Sequence, residues 1–252
     1  MGRQLIYILC MTACFLSCTK SYKIIGKVKT NSYNSLGLLA SITDFDGKTI
    51  SLRTSENGEW RTLDSCEVLH GQFCMKGKID STLIATLFLD GHPLMPMILE
   101  RGKIDITISN IALKAAGTTL NDSLYKFIAR KYQLDLRTVE LERLEAQMIM
   151  NGYDQITIQH RIDSTYQALR DEMQSLVLHF IESNYNNALS LCGFSMLCNG
   201  LPYPAITPLI QSVIDNAPKT FLANPNISKF LHEARKQTEQ YGIADATEHS
   251  SH

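Results

Sequence analysis

The 252-residue sequence predicts an α+β chain: an antiparallel β sandwich or open barrel over 22–116, followed over 117–242 by a helical region with a long antiparallel helix hairpin. Three observations carry this. From Tyr22 to Ala116, short runs rich in β-branched and aromatic residues recur at a spacing of roughly 8–13 residues, with Gly-containing turns between them. At Gly117 the apolar period changes from that of a strand to that of a helix. Two long periodic segments then meet at Asn151-Gly152, a short loop of the kind that joins antiparallel helices.

Turn pairs at Asp46-Gly47, Asn57-Gly58, His70-Gly71, Asp90-Gly91 and Arg101-Gly102 divide the first part. They bound the runs Lys23–Thr30, Leu38–Thr43, Lys48–Thr54, Trp60–Val68, Gln72–Lys78, Leu83–Leu89, Met95–Leu99 and Lys103–Ile108. Ile104, Ile106 and Ile108 alternate with polar residues, as a half-buried strand requires. A two-residue turn at His70-Gly71 sets Val68 opposite Phe73 and Cys66 opposite Met75, so that Cys66 and Cys74 face apart. A three-residue loop would bring Cys66 opposite Cys74, but would move Gln72 to the buried face. Pro93-Leu94-Met95-Pro96-Met97 reads as a strand entering the core, with a ligand-facing lip as the alternative.

In the second part, Thr119-Leu120-Asn121-Asp122 has the form of a capping-box start. Leu120, Phe127, Leu134, Leu141 and Met148 then recur every seven residues, and Asn151-Gly152 stops the helix. Ile162, Tyr166, Leu169, Met173, Leu176 and Phe180 form the seam of the second helix, packed along the first. Shorter helices are expected at Asn187–Cys198, Pro204–Asn216 and Ile227–Tyr241, and a flexible tail over 243–252.

The N-terminus carries an address. One basic residue, Arg3, precedes the apolar run Leu5–Leu16, which ends at Ser17-Cys18. That run is shorter than the roughly 20 residues a membrane span needs, and its order is that of a secretory signal. The cysteine makes it resemble a bacterial lipoprotein signal. The expectation is a signal peptide over 1–17, cleavage before Cys18 with acylation of its sulfur, and a lipidated N-terminus over 18–21.

Chemistry-bearing motifs are not found. The sequence has no Gly-rich phosphate loop, nucleophile elbow, paired-histidine zinc helix or Cys-x-x-Cys, and no catalytic, cofactor-binding or metal-ligating residue is assigned. A formal net charge of −1 gives no reason to expect nucleic acid as a partner. His160 and His179 flank the seam of the second helix and read as solvated, while His249 and His252 sit in the tail. Glu140, Glu142 and Glu145 with Arg137 and Arg143 read as a solvated charged face. Cys66, Cys74, Cys192 and Cys198 read as small buried thiols, although their even number in an exported chain is compatible with disulfides. Cys192 and Cys198 are six residues apart, about 9 Å along a helix axis, and could form a redox pair only if Gly193 breaks the helix.

The order of features resembles the N-terminal region of Bacteroidota lipoprotein thiol-disulfide oxidoreductases, where a β-rich domain of unknown function precedes a thioredoxin-like domain. The residues that carry the likeness are Ile25-Gly26-Lys27-Val28, Leu63-Asp64-Ser65 with Val68, Gly71-Gln72-Phe73 and Gly77. Leu99-Glu100-Arg101-Gly102-Lys103-Ile104, Gly117-Thr118 with Asn121-Asp122, and Phe180-Ile181 with Asn184 complete it. The thioredoxin-like domain would begin near Tyr241-Gly242, close to the end of this sequence, so no catalytic residue of that family has a counterpart to carry over.

The expectation for function is a non-catalytic cell-envelope lipoprotein that binds or positions a protein partner and needs no cofactor. Its lipid anchor would hold it on a membrane, and the resemblance implies the outer membrane, facing the periplasm. The alternative is a thiol-redox accessory acting through Cys192 and Cys198 with a separate thioredoxin-like oxidoreductase.

Overall fold

Among the described residues, eight strands form two four-stranded sheets whose apolar faces cover each other in one core. The computed structural model describes residues 20–29, 45–56, 58–109 and 112–248. The signal, Cys18, the expected strand Leu38–Thr43 and the two tail histidines lie outside the described residues. One sheet holds β1 (Lys20–Lys29), β4 (Gln72–Ile79), β7 (Gly102–Ser109) and β8 (Ala112–Ala116) in the order β4-β1-β7-β8. The other holds β2 (Thr49–Glu56), β3 (Glu59–Glu67), β5 (Leu83–Leu89) and β6 (His92–Leu99) in the order β3-β2-β5-β6. The sheets stay separate, so the sandwich forms and the barrel does not.

Two features depart from the sequence reading. β1 pairs with β7 in parallel, Ile24 beside Ile104, so the sandwich is mostly rather than wholly antiparallel. These strands are remote in sequence, and no tight turn joins them to impose the opposite sense. β8 is an additional strand, of Ala-rich sequence with little β signal of its own.

Ile24, Phe73, Met75, Ile104, Ile106 and Ile108 of the first sheet share one buried cluster with Ile50, Leu52, Leu87, Met97 and Leu99 of the second. Each such side chain contributes about 1.5–3 kcal/mol by leaving water. Gly26 pairs with Phe73 across β1 and β4, and a Cβ at Gly26 would lie 1.9 Å from the Phe73 ring. The ring occupies the space over the glycine, which is why that position takes no side chain.

The turn at His70-Gly71 forms as expected, with φ of 51° and 68° and both hydrogen bonds between Leu69 and Gln72. The hairpin does not continue. Past this point β3 pairs with β2 and β4 with β1, so the turn is a corner between sheets, and Val68 N donates to Lys48 O rather than to β4. Cys66 is half-buried and Cys74 exposed, so Cys74 is not the small buried thiol that the sequence suggests, and both are free.

The helices are α1 (Thr119–Met150), α2 (Gln155–Glu182), α3 (Ala188–Asn199), α4 (Pro208–Asn216), the single-turn α5 (Lys219–Leu222) and α6 (Pro225–Glu248). The start of α1 is not a capping box. Its N-cap, Thr118, makes no capping hydrogen bond, and Glu100 from the β6–β7 link accepts from the Leu120 and Asn121 amides at 2.9 and 3.3 Å. A carboxylate there also suits the positive end of the helix. Asp154 caps α2, accepting from Thr157 N at 3.0 Å. The expected seam between α1 and α2 is buried: Leu134, Leu141 and Met148 pack with Ile158, Ile162 and Leu169 in a second apolar cluster. At the root of the hairpin Phe127 and Phe180 stack at 3.9 Å.

α4 begins later than expected because Thr207 is its cap and Pro208 occupies its first turn. α6 runs to Glu248 and takes in residues 243–248, which the sequence reading assigned to a flexible tail. Ala and Glu there sustain a helix, and Gly242 weakens it without ending it.

Candidate functional site: a cleft between sheet and helices

The second sheet turns one face to the sandwich core and its other face to the helices. On that outer face Ile84 and Thr86 of β5 alternate with core residues Ala85 and Leu87. β6 is an edge strand of this sheet among the described residues, and its two prolines are tolerated because an edge position needs no second ladder bond. Tyr125 of α1 fixes this edge by donating to Pro96 O at 2.7 Å.

Between this face and helices α3 and α6 lies a cleft of about 590 Å³, within the range of ligand sites. Trp60, Ile84, Leu94, Met95 and Pro96 form its sheet wall, and Cys192, Phe194, Met196, Cys198 and Phe230 its helical wall. Ser55, Asn199, Asn224, Lys229 and Glu233 supply polar groups around it. Lys229 reaches the β2–β3 turn, where a Cβ at Gly58 would lie 3.8 Å from its Nζ. Trp60 is 52% exposed. Its ring stands edge-on to Phe88 at 5.0 Å, and the Arg53 guanidinium covers Phe88 at 4.4 Å from the ring centre. A large aromatic side chain, held in place yet left half in water, is what an interaction surface presents.

Both members of the suggested redox pair line this cleft. They sit on one unbroken helix, and neither is bonded. Gly193 does not break α3. It admits α2 instead, since a Cβ there would meet the Phe180 ring at 2.9 Å and Ile181 at 3.0 Å. Burial pushes the Cys192 and Cys198 thiols up to about 12 each, so both are protonated at neutral pH. Burial also raises Cys66, with Asp64 adding to the shift and the Cys74 amide, which donates to its sulfur, opposing it. A protonated thiol is a poor nucleophile.

The Pro93–Met97 segment is the strand entering the core that the sequence suggests, with Met95 and Met97 buried, and Pro93, Leu94, Met95 and Pro96 also line the cleft. The sequence singles out neither Trp60 nor Phe230, although Trp60 is the chain's only tryptophan, and its place on an edge strand emerges only from the sheet order.

His160 and His179 are exposed. The charged face of α1 is partly a network with α2: Arg130 and Arg137 both bind Glu172, the latter at 2.8 Å, and Tyr166 donates to Glu145 at 3.1 Å. Hydrogen bonding from Arg137 holds the Glu172 carboxyl below its usual range. Among the described residues no group of three or more His, Cys, Asp or Glu is placed to hold a metal ion, and no helix is long and apolar enough to cross a membrane.

Residues 22–124 match the family described as Domain of unknown function (DUF4369). The match covers the sandwich and the first turns of α1, and agrees with the β-rich domain of unknown function that the resemblance implied. Among curated proteins none matches the chain.

Proposed function

We propose that the mature chain is a non-catalytic cell-envelope lipoprotein, anchored through Cys18, that binds a protein partner by taking an apolar segment of it into the cleft. The observation that carries this reading is the cleft itself: aromatic, Met and Pro side chains on two facing walls, with amide, hydroxyl and charged groups around them. Such a lining favours burial of an apolar group while fixing the polar atoms of the chain that bears it. The resemblance to N-terminal regions of thiol-disulfide oxidoreductases supports an accessory role beside an enzyme of that kind in the same compartment. Against the thiol-redox alternative stand a buried Cys192 and a half-buried Cys198, both raised by burial and unbonded on one unbroken helix.

The test is site-specific crosslinking in the acylated, membrane-bound protein. A photoreactive residue at Ser195, exposed on α3 beside the cleft, should join one discrete polypeptide. Phe230→Glu should abolish that adduct without lowering the melting temperature by more than a few degrees. Adducts to lipid alone, or adducts insensitive to Phe230→Glu, would overturn the reading.

A further inference from the structure

α1 carries apolar heptads on two opposite faces. One is the buried seam against α2. The other runs through Tyr132, Leu136, Val139, Ala146 and Met150, interrupted once by Arg143, at the 4-3-4-3-4 spacing of a coiled-coil strip. The described residues leave it uncovered: Tyr132 is 60% exposed, Leu136 49%, Val139 58% and Met150 86%. Isolated exposed apolar residues need no explanation, but a strip at this spacing, broken only at Arg143, marks an interaction face.

The charges beside the strip select its occupant. At 100° per residue, Gln133, Glu140 and Gln147 flank one side of it, and Asp135 and Glu142 the other. The positions that border the strip directly, Gln133, Asp135, Glu140, Glu142 and Gln147, hold no basic residue, while Lys131 lies outside Asp135 and Arg143 stands within the strip. Arg130 and Arg137 lie on the far side, held by Glu172 of α2. Lys131 with Asp135 and Arg143 with Glu140 form exposed pairs, which exchange readily for others. A second copy of this helix would set acidic flank against acidic flank in either orientation. A helix with basic flanks would meet them favourably, since flanking charges set partner choice in helix pairing.

We propose that the outer face of α1 docks an amphipathic helix of a different protein, one carrying Lys or Arg beside its own apolar seam. The surface is separate from the cleft, and the inference holds whether or not the cleft binds its segment.

The test uses the mature chain and two synthetic helical peptides with the same Leu seam, one with Lys and the other with Glu at the flanking positions. Fluorescence anisotropy should show the Lys peptide binding about tenfold more tightly or better, with the difference shrinking as salt rises. Leu136→Ser with Val139→Ser should abolish binding while the circular dichroism melt stays within a few degrees of the parent. Asp135→Lys with Glu142→Lys should invert the peptide preference. Binding of neither peptide, equal binding of both, or a self-dimer in sedimentation that Leu136→Ser dissolves, would each overturn the proposal.

Discussion

The side-chain amide of Asn121 pairs with both backbone groups of Ile98. Ile98 N donates to Asn121 Oδ1 at 2.9 Å, and Asn121 Nδ2 donates to Ile98 O at 2.7 Å and to Thr118 Oγ1 at 2.9 Å. Ile98 lies on the edge strand β6, so α1 supplies what a further strand would have supplied and closes that edge. Tyr125 then reaches Pro96 O one helical turn later. Four helical residues rise about 6 Å and two strand residues about 6.8 Å, and this near-match lets one helix serve two positions of one strand.

Asn121→Leu should therefore be strongly destabilising. It leaves a buried N–H and a buried C=O at Ile98 without partners, each costing about 1–3 kcal/mol. A loss of roughly 2–6 kcal/mol in urea denaturation, with an unchanged m-value, is the expected result. Asn121→Asp should not rescue it, because a carboxylate can accept from Ile98 N but cannot donate to Ile98 O. A loss below about 1 kcal/mol would show that this residue does not close the edge.

Leu169→Asp tests the helix hairpin. Leu169 is buried among Leu134, Leu141 and Ile162, where an unpaired carboxylate is unfavourable by several kcal/mol. The melting temperature should fall by ten degrees or more, on the order of what such a loss implies for a chain of this size. A melt within a degree or two of the parent would mean the seam is open to water.

This seam was legible in the sequence because a heptad is a local pattern, and so were β5, with both ends correct, and the facing of Ile104, Ile106 and Ile108. The cleft was not. Trp60, Met95, Met196 and Phe230 come from strands and helices far apart in the chain, and each alone reads as an ordinary core residue. The parallel β1–β7 pair, the corner at His70-Gly71 and the capping of α1 by Glu100 are likewise long-range choices. In each, a partner remote in sequence replaced the local one that the pattern suggested.

Cys18→Ser should release the protein from membranes. Each buried methylene of an acyl chain contributes about 0.8 kcal/mol, and one chain alone binds only marginally, so removing the acylated sulfur removes the anchor. Fractionation of cells expressing the parent and the variant measures this directly. Equal membrane retention of both would exclude lipid attachment at Cys18.

The thiols of the cleft give the last prediction. Burial raises Cys192 and Cys198 from 9.0 to about 12. The fold favours the protonated form, so between these values the native state keeps protons that the unfolded chain has lost. Their contribution to stability is full below about 9 and falls as pH rises toward 12. The urea midpoint should drop across that window, and more steeply in the parent than in a Cys192→Ala, Cys198→Ala double variant. At pH near 8, iodoacetamide should alkylate exposed Cys74 first and reach Cys192 only on unfolding, since the thiolate is the reacting species. Insulin reduction should be absent for the same reason. Native-state labelling of Cys192 as fast as that of Cys74, or insulin reduction lost in Cys192→Ser, would show an accessible thiolate in the cleft and restore the redox alternative.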